Sequence, residues 1–128
     1  MHGDLQFSVD YDVDVPAVVM IWRGYATSGV FRAANEQVLQ TIGERRAKKL
    51  LGDITEFVLI GAEDQDWLNN VWLPRAMEAG LRVAALVTPS FYFNRVAVEN
   101  VVKKLDPARL QVAYFATRDE AREWLKSL

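Results

Sequence analysis

A chain of 128 residues, 51 % apolar and 25 % charged, has the size and composition of one ordinary globular domain with its own core. Its formal net charge of −2 argues against a nucleic acid or an acidic membrane surface as partner. It has no cysteine, which excludes thiolate nucleophiles, disulfides and cysteine metal sites and suits a reducing, cytoplasmic setting.

The opening Met-His-Gly-Asp-Leu-Gln carries neither the basic nor the apolar region of a secretory signal. No apolar run approaches the ~18 residues that suggest a membrane span, so no stable membrane insertion is expected. No repeat, low-complexity tract or linker divides the chain, and we expect one domain over residues 1–128.

Asp4 to Asp12 alternates strictly. Leu5, Phe7, Val9 and Tyr11 fall on one face, and the polar residues fall on the other. This is the period of a half-exposed strand near a sheet edge. Asp12 to Pro16 makes a short connection, and Ala17 to Trp22 is a continuously apolar strand. The two are close enough in sequence to pair as an antiparallel hairpin. Gly24 to Ser28 reads as a break, with Thr27 or Ser28 capping a helix. Val30, Phe31, Ala34, Val38 and Ile42 give that helix its apolar face. Arg45, Arg46, Lys48 and Lys49 complement its C-terminal end.

Leu50 to Asp53 reads as a buried strand ending on a single acid. After it, Glu63, Asp64 and Asp66 open a second helix. Trp67, Leu68, Val71 and Trp72 form its stripe, and Pro74 predicts a kink or break. Gly80 ends that segment. Leu81 to Val87 is a further apolar strand. A third helix runs through Val98, Val101, Val102 and Leu105 until Pro107. Leu110 to Phe115 is the fifth strand. Thr117 and Glu120 have the spacing of a capping box for a last helix, whose inner face is Ala121, Trp124, Leu125 and Leu128. The order ββαβαβαβα implies an α/β domain with a mixed, mostly parallel five-stranded sheet and four helices.

Candidate chemistry is sparse. Asp10, Asp12 and Asp14 open like a calcium loop, but Val15 and Ile21 stand where that loop needs its glycine and bidentate glutamate. His2 is the one histidine, so neither a Ser-His-acid triad nor a histidine metal site is expected, and Ser90 reads as a loop serine. Gly24 and Gly29 flank a turn that matches no phosphate-binding spacing. Asp53 sits at the carboxyl edge of the sheet, where α/β folds place ligand sites. It has two readings: half of a carboxylate pair with Glu63 or Asp64, or an acceptor for loop amides. Phe91, Tyr92 and Phe93 are consecutive aromatics at the same edge. They form either the lip of a binding surface or a cover for the core.

Several stretches together resemble one family: Trp22-Arg23-Gly24 before a Thr-Ser helix start, Leu50-Leu51-Gly52-Asp53, Trp67-Leu68, Gly80-Leu-Arg-Val-Ala, and Tyr114-Phe115-Ala-Thr-Arg-Asp-Glu-Ala121-Arg-Glu-Trp124-Leu125. The chain is similar over nearly its whole length to the SpoIIAA-like, or STAS/CRAL-TRIO-like, family of small bacterial proteins. The resemblance implies a SpoIIAA-like β-α superhelical domain. Anti-anti-sigma factors of that family bind a protein kinase partner and are switched by phosphorylation of a serine that starts the second helix. Here Val58 to Asp66 holds no serine or threonine, so the switch does not carry over. Other relatives bind lipids.

The resemblance implies a non-enzymatic, cytoplasmic module that binds a protein partner or itself. The alternative is binding or sensing of a small apolar ligand or lipid. An enzyme built on Asp53 and the acidic turn is a third reading. No cofactor, metal or catalytic residue is expected. Phe91, Tyr92, Asp53 and Trp67 are the candidate partner- or ligand-binding residues.

Overall fold

The computed structural model describes residues 5–58, 61–88 and 92–128, with side chains in the last segment from Arg95 onward. Strands β1 (Gln6–Asp12) and β2 (Ala17–Tyr25) form the expected antiparallel hairpin, with Phe7 opposite Trp22 and Tyr11 opposite Val18. The remaining elements are α1 (Ser28–Arg45), β3 (Lys49–Val58), α2 (Ala62–Trp67), a π-helical turn (Leu68–Trp72), α3 (Leu73–Glu78), β4 (Val83–Val87), α4 (Tyr92–Val102), β5 (Gln111–Phe115) and α5 (Arg118–Lys126). The strands lie in the order β1-β2-β3-β4-β5, and every pair from β2 onward is parallel. With α2, the π-turn and α3 taken as one helical run, the element order is the one the sequence predicts.

This order decides where the helices go. Each strand–helix–strand step advances one place in the same direction. Such crossovers are right-handed, so successive crossover helices fall on the same face. Val38 and Ile42 of α1, Ala76 and Met77 of α3, and Val101 of α4 accordingly share one buried cluster with Val18, Leu50 and Ala84. The last helix crosses nothing and is free of that rule. It covers the opposite face, where Ala121 and Leu125 pack on Leu51, Ala85 and Val87. Strand alternation divides β3 between the faces, Leu50 to the crossover helices and Leu51 to α5.

Strand β3 does not end at Asp53 as expected. Its pairing runs Ile21↔Asp53, then Arg23↔Glu56. Two steps along β2 thus match three along β3, so β3 carries a bulge between Asp53 and Glu56. The extra residue returns Phe57 to the same cluster as Ile54, although simple alternation would separate them. Strand β2 also continues through Gly24 to Tyr25, because the bulged β3 still supplies partners there.

Thr27 caps α1, its hydroxyl accepting from the Val30 amide at 3.4 Å. Phe31, Ala34, Val38 and Ile42 are buried as expected, but Val30 is 49 % exposed. It stands about 100° round the helix from Phe31, outside the stripe. Pro74 neither breaks the helical run nor goes unnoticed by it. The turn before it widens, and the Leu73 amide donates to Leu68 O, five residues back. Loosening the ladder there accommodates a residue that has no amide to donate and whose ring crowds the preceding turn. In this wider turn Trp72 is buried while Val71 is exposed. At the C-terminus Ala121 and Leu125 are fully buried, Trp124 is half-buried, and Leu128 lies exposed beyond the helix.

Candidate functional site

Between the sheet and the crossover helices lies a cavity of about 120 Å³. Trp22, Ile54, Phe57 and Ala84 of the sheet form its floor; Phe31 of α1, Leu68 and Trp72 of the π-turn, and Val98, Val101 and Val102 of α4 complete it. Among the described residues its walls bear no charged side chain. Leu68, Val98, Val102 and Leu105 on the helical side are only half-buried, as are Met20, Leu86 and Val112 of the sheet. An apolar cavity of about 150 Å³ stays dry and holds a benzene-sized molecule, since water needs two to four polar partners to settle. This cavity belongs to the same regime.

The π-turn contributes directly to that wall. Had the run stayed α-helical to Pro74, Trp72 would be turned differently relative to Leu68. The Trp72 indole donates to Asn35 O at 2.7 Å, and Asn35 Nδ2 donates to Phe31 O at 2.9 Å, which locks the wall to α1. Two polar groups nearby are unusual. Among the described residues the Trp22 indole nitrogen is buried with no hydrogen-bond partner, and so are both amide atoms of Asn69 within the π-turn. Sequence reasoning placed Trp22, Phe31, Leu68, Trp72, Ala84, Val98, Val101 and Val102 in strands or helix stripes, but Ile54 and Phe57 fell beyond the strand it ended at Asp53. A cavity wall and a filled core use the same side chains, and periodicity does not separate them.

Asp53 points to the opposite face. Its Oδ1 accepts from the Thr55 amide at 3.2 Å and the Thr55 hydroxyl at 2.7 Å, which pins the β3 bulge. Its Oδ2 pairs with Arg118 of α5 at 3.1 Å. The structure therefore gives Asp53 a backbone amide and a cation as partners, in keeping with the amide-acceptor reading. Asp64 is held separately by the crossover helices. It takes the Ser28 hydroxyl at 2.7 Å and Arg32 Nε at 3.1 Å while its side chain is only 6 % exposed. The Arg32 guanidinium also lies 5.3 Å from the centre of the Trp67 ring. Trp67 meets Phe31 edge-on at 6.2 Å, so it buttresses a wall residue of the cavity. Phe91 lies outside the described residues. Tyr92 opens α4, and its side chain lies outside them.

On the α5 face, Asp12, Thr117, Arg118, Asp119 and Arg122, together with Val19 and Leu51, border an open cleft. Thr117 caps α5 at the Glu120 amide (3.2 Å), and its hydroxyl also meets the Glu120 carboxylate at 3.1 Å. Arg122 Nε donates to Asp12 at 2.7 Å. That hydrogen bond holds the Asp12 carboxyl below the usual carboxylate range, against an opposing effect of burial. A carboxyl depressed in the folded state adds stability above its unfolded pKa and loses it as pH falls through the folded value. Stability should therefore drop below about pH 4, and Asp12→Asn should flatten that acid limb. Urea midpoints measured across the range check this; an acid limb equally steep in the variant would assign the loss to other carboxyls.

Among the described residues no group of three or more His, Asp or Glu side chains is placed to hold a metal ion, and no helix is long and apolar enough to cross a membrane.

No family model matches the chain, and no curated protein matches it in sequence. Among solved structures it is similar to an uncharacterised protein of the DUF3478 family with a SpoIIAA-like fold, from Shewanella loihica PV-4. The TM-score is 0.60 at 17 % identity, over 98 % of this chain and 95 % of that one. The chain thus has a SpoIIAA-like α/β fold, as its sequence motifs suggest.

Proposed function

We propose that this protein is a non-enzymatic cytoplasmic module that binds or senses a small apolar ligand in the cavity under α4. The observation that carries the reading is the cavity itself, about 120 Å³, whose lining among the described residues is hydrocarbon and aromatic side chains apart from Met20 and the amide of Asn35. An unfilled space of this size costs stability that a repacked core would recover. A ligand that fills it converts that cost into affinity. The half-buried wall along α4 supplies an entry route, and the wide π-turn lets the facing wall adjust, in keeping with the frequent placement of such turns at functional sites. A lone histidine and no cysteine leave few groups for chemistry. Asp53 and Asp64 are both committed to cations.

Ala84 lies on the cavity floor. Ala84→Leu should fill the space, keep or raise the denaturation midpoint, and abolish binding of small aromatic probes such as toluene. Val101→Phe should act the same way from the opposite wall. Unchanged probe binding in both folded variants would exclude the cavity as the site.

A second reading, a surface for a protein partner or a second copy, has one observation of its own. Tyr25 and Val58 are cross-strand neighbours at the end of the sheet, and they are 52 % and 43 % exposed. Exposed apolar neighbours of this kind suit an interface. Tyr25→Ser should leave stability nearly unchanged and weaken self-association in native mass spectrometry. A monomeric wild type that gains no partner there would end this second reading.

A further inference from the structure

We propose that the cavity ligand is not a pure hydrocarbon but a neutral molecule carrying a hydrogen-bond acceptor, such as a ketone, ester or ether oxygen, which takes the indole N–H of Trp22. This rests on the apolar-ligand reading above and names its chemistry. Two tryptophans line the cavity, and they differ in one respect. Trp72 donates its N–H to Asn35 O at 2.7 Å. Trp22 is 2 % exposed, and its N–H has no hydrogen-bond partner among the described residues. A buried donor without an acceptor forfeits its hydration, and native structures rarely leave one unexplained.

The neighbours of Trp22 cannot make good the loss. Phe7, Phe31 and Phe57 pack round its ring at 4.5, 5.6 and 5.1 Å between centroids, and their side chains bring no oxygen. Water is a poor substitute, because the other side-chain donors on the described wall, Asn35 Nδ2 and Trp72 Nε1, are already spent on Phe31 O and Asn35 O, which leaves it few partners. An acceptor on the ligand meets the need. The same walls exclude the other classes. With no charged side chain lining the space among the described residues, a carboxylate or an ammonium would enter without a counter-ion.

The test uses two molecules of nearly the same shape, acetophenone and α-methylstyrene, which differ in a carbonyl oxygen against a methylene. Each is titrated into the full chain and into Trp22→Phe, with the indole N–H signals followed by NMR. The expected result is that the ketone-to-alkene affinity ratio falls about fivefold in Trp22→Phe, the size of one lost hydrogen bond. In the wild type, the Trp22 indole proton should move downfield with the ketone and not with the alkene. Because the two probes share a shape, any packing defect in the variant cancels in the ratio. If both probes bind but the ratio is unchanged and the indole proton responds alike to each, the acceptor inference is overturned and the cavity reading survives. If neither probe binds the wild type, both fall. Should Trp22→Phe fail to fold, the wild-type indole shift decides alone.

Discussion

Replacing Trp72 with alanine is expected to lower stability by about 3–5 kcal/mol, read as a shift in urea midpoint at constant slope. Trp72 is 3 % exposed and packs among Val38, Ala76 and Leu81 in the largest buried cluster. Its truncation adds empty volume beside a cavity that already exists. The surroundings have less to collapse onto than around an isolated void, which favours the upper part of the range. The lost hydrogen bond adds little. Asn35 sits inside α1, where its carbonyl faces the amide of the next helical turn. The merged space should also admit aromatics larger than the wild type accepts. A loss below about 1 kcal/mol would mean that the π-turn does not hold this ring against α1.

The fold was legible where residue spacing alone decides it. Alternation in β1, the stripes of α1 and α5 apart from Val30 and Leu128, and the strand–helix order survive into the structure because each depends on local period and chain connectivity. What spacing missed was added by single residues acting against their surroundings. Asp53 reads as a terminus because a lone acid interrupts an apolar run. Thr55 satisfies that acid within the strand, so the strand bulges and continues to Val58. Pro74 reads as a break, and a widened turn absorbs it instead. Asp53 and Asp64, near in sequence order and both acidic, lie on opposite faces, and each pairs with an arginine of a different helix, Arg118 of α5 and Arg32 of α1. The cavity was invisible for another reason. It is a deficit of volume, and sequence period reports which residues face inward, not whether they touch.

Leu125→Ala should cost about 2–5 kcal/mol, and the manner of the loss is as informative as its size. Leu125 is fully buried, and α5 is the one helix whose residues join the cluster on its face of the sheet among the described residues. A helix of 9 residues is not stable alone, so docking holds it. Three features supply that docking. Ala121 and Leu125 are the inner stripe, and Trp124 covers Phe115 at 5.4 Å between rings. Lys49 reaches across from β3 to Leu125 O at 2.7 Å and Leu128 O at 2.9 Å, a cation on the carbonyl end of the helix. Arg118 and Arg122 tie its first turns to the carboxylates of Asp53 and Asp12. With Leu125 truncated, α5 should open before the rest of the fold. The measured loss is then capped by the cost of undocking the helix and exposing Leu51, Ala85 and Val87. Native-state hydrogen exchange separates the cases. The amides of α5 should lose protection at denaturant concentrations that leave β3 protected. If α5 and β3 exchange together in the variant, the helix is part of one cooperative unit with the sheet, and the loss should reach the full cavity cost because no partial opening relieves it.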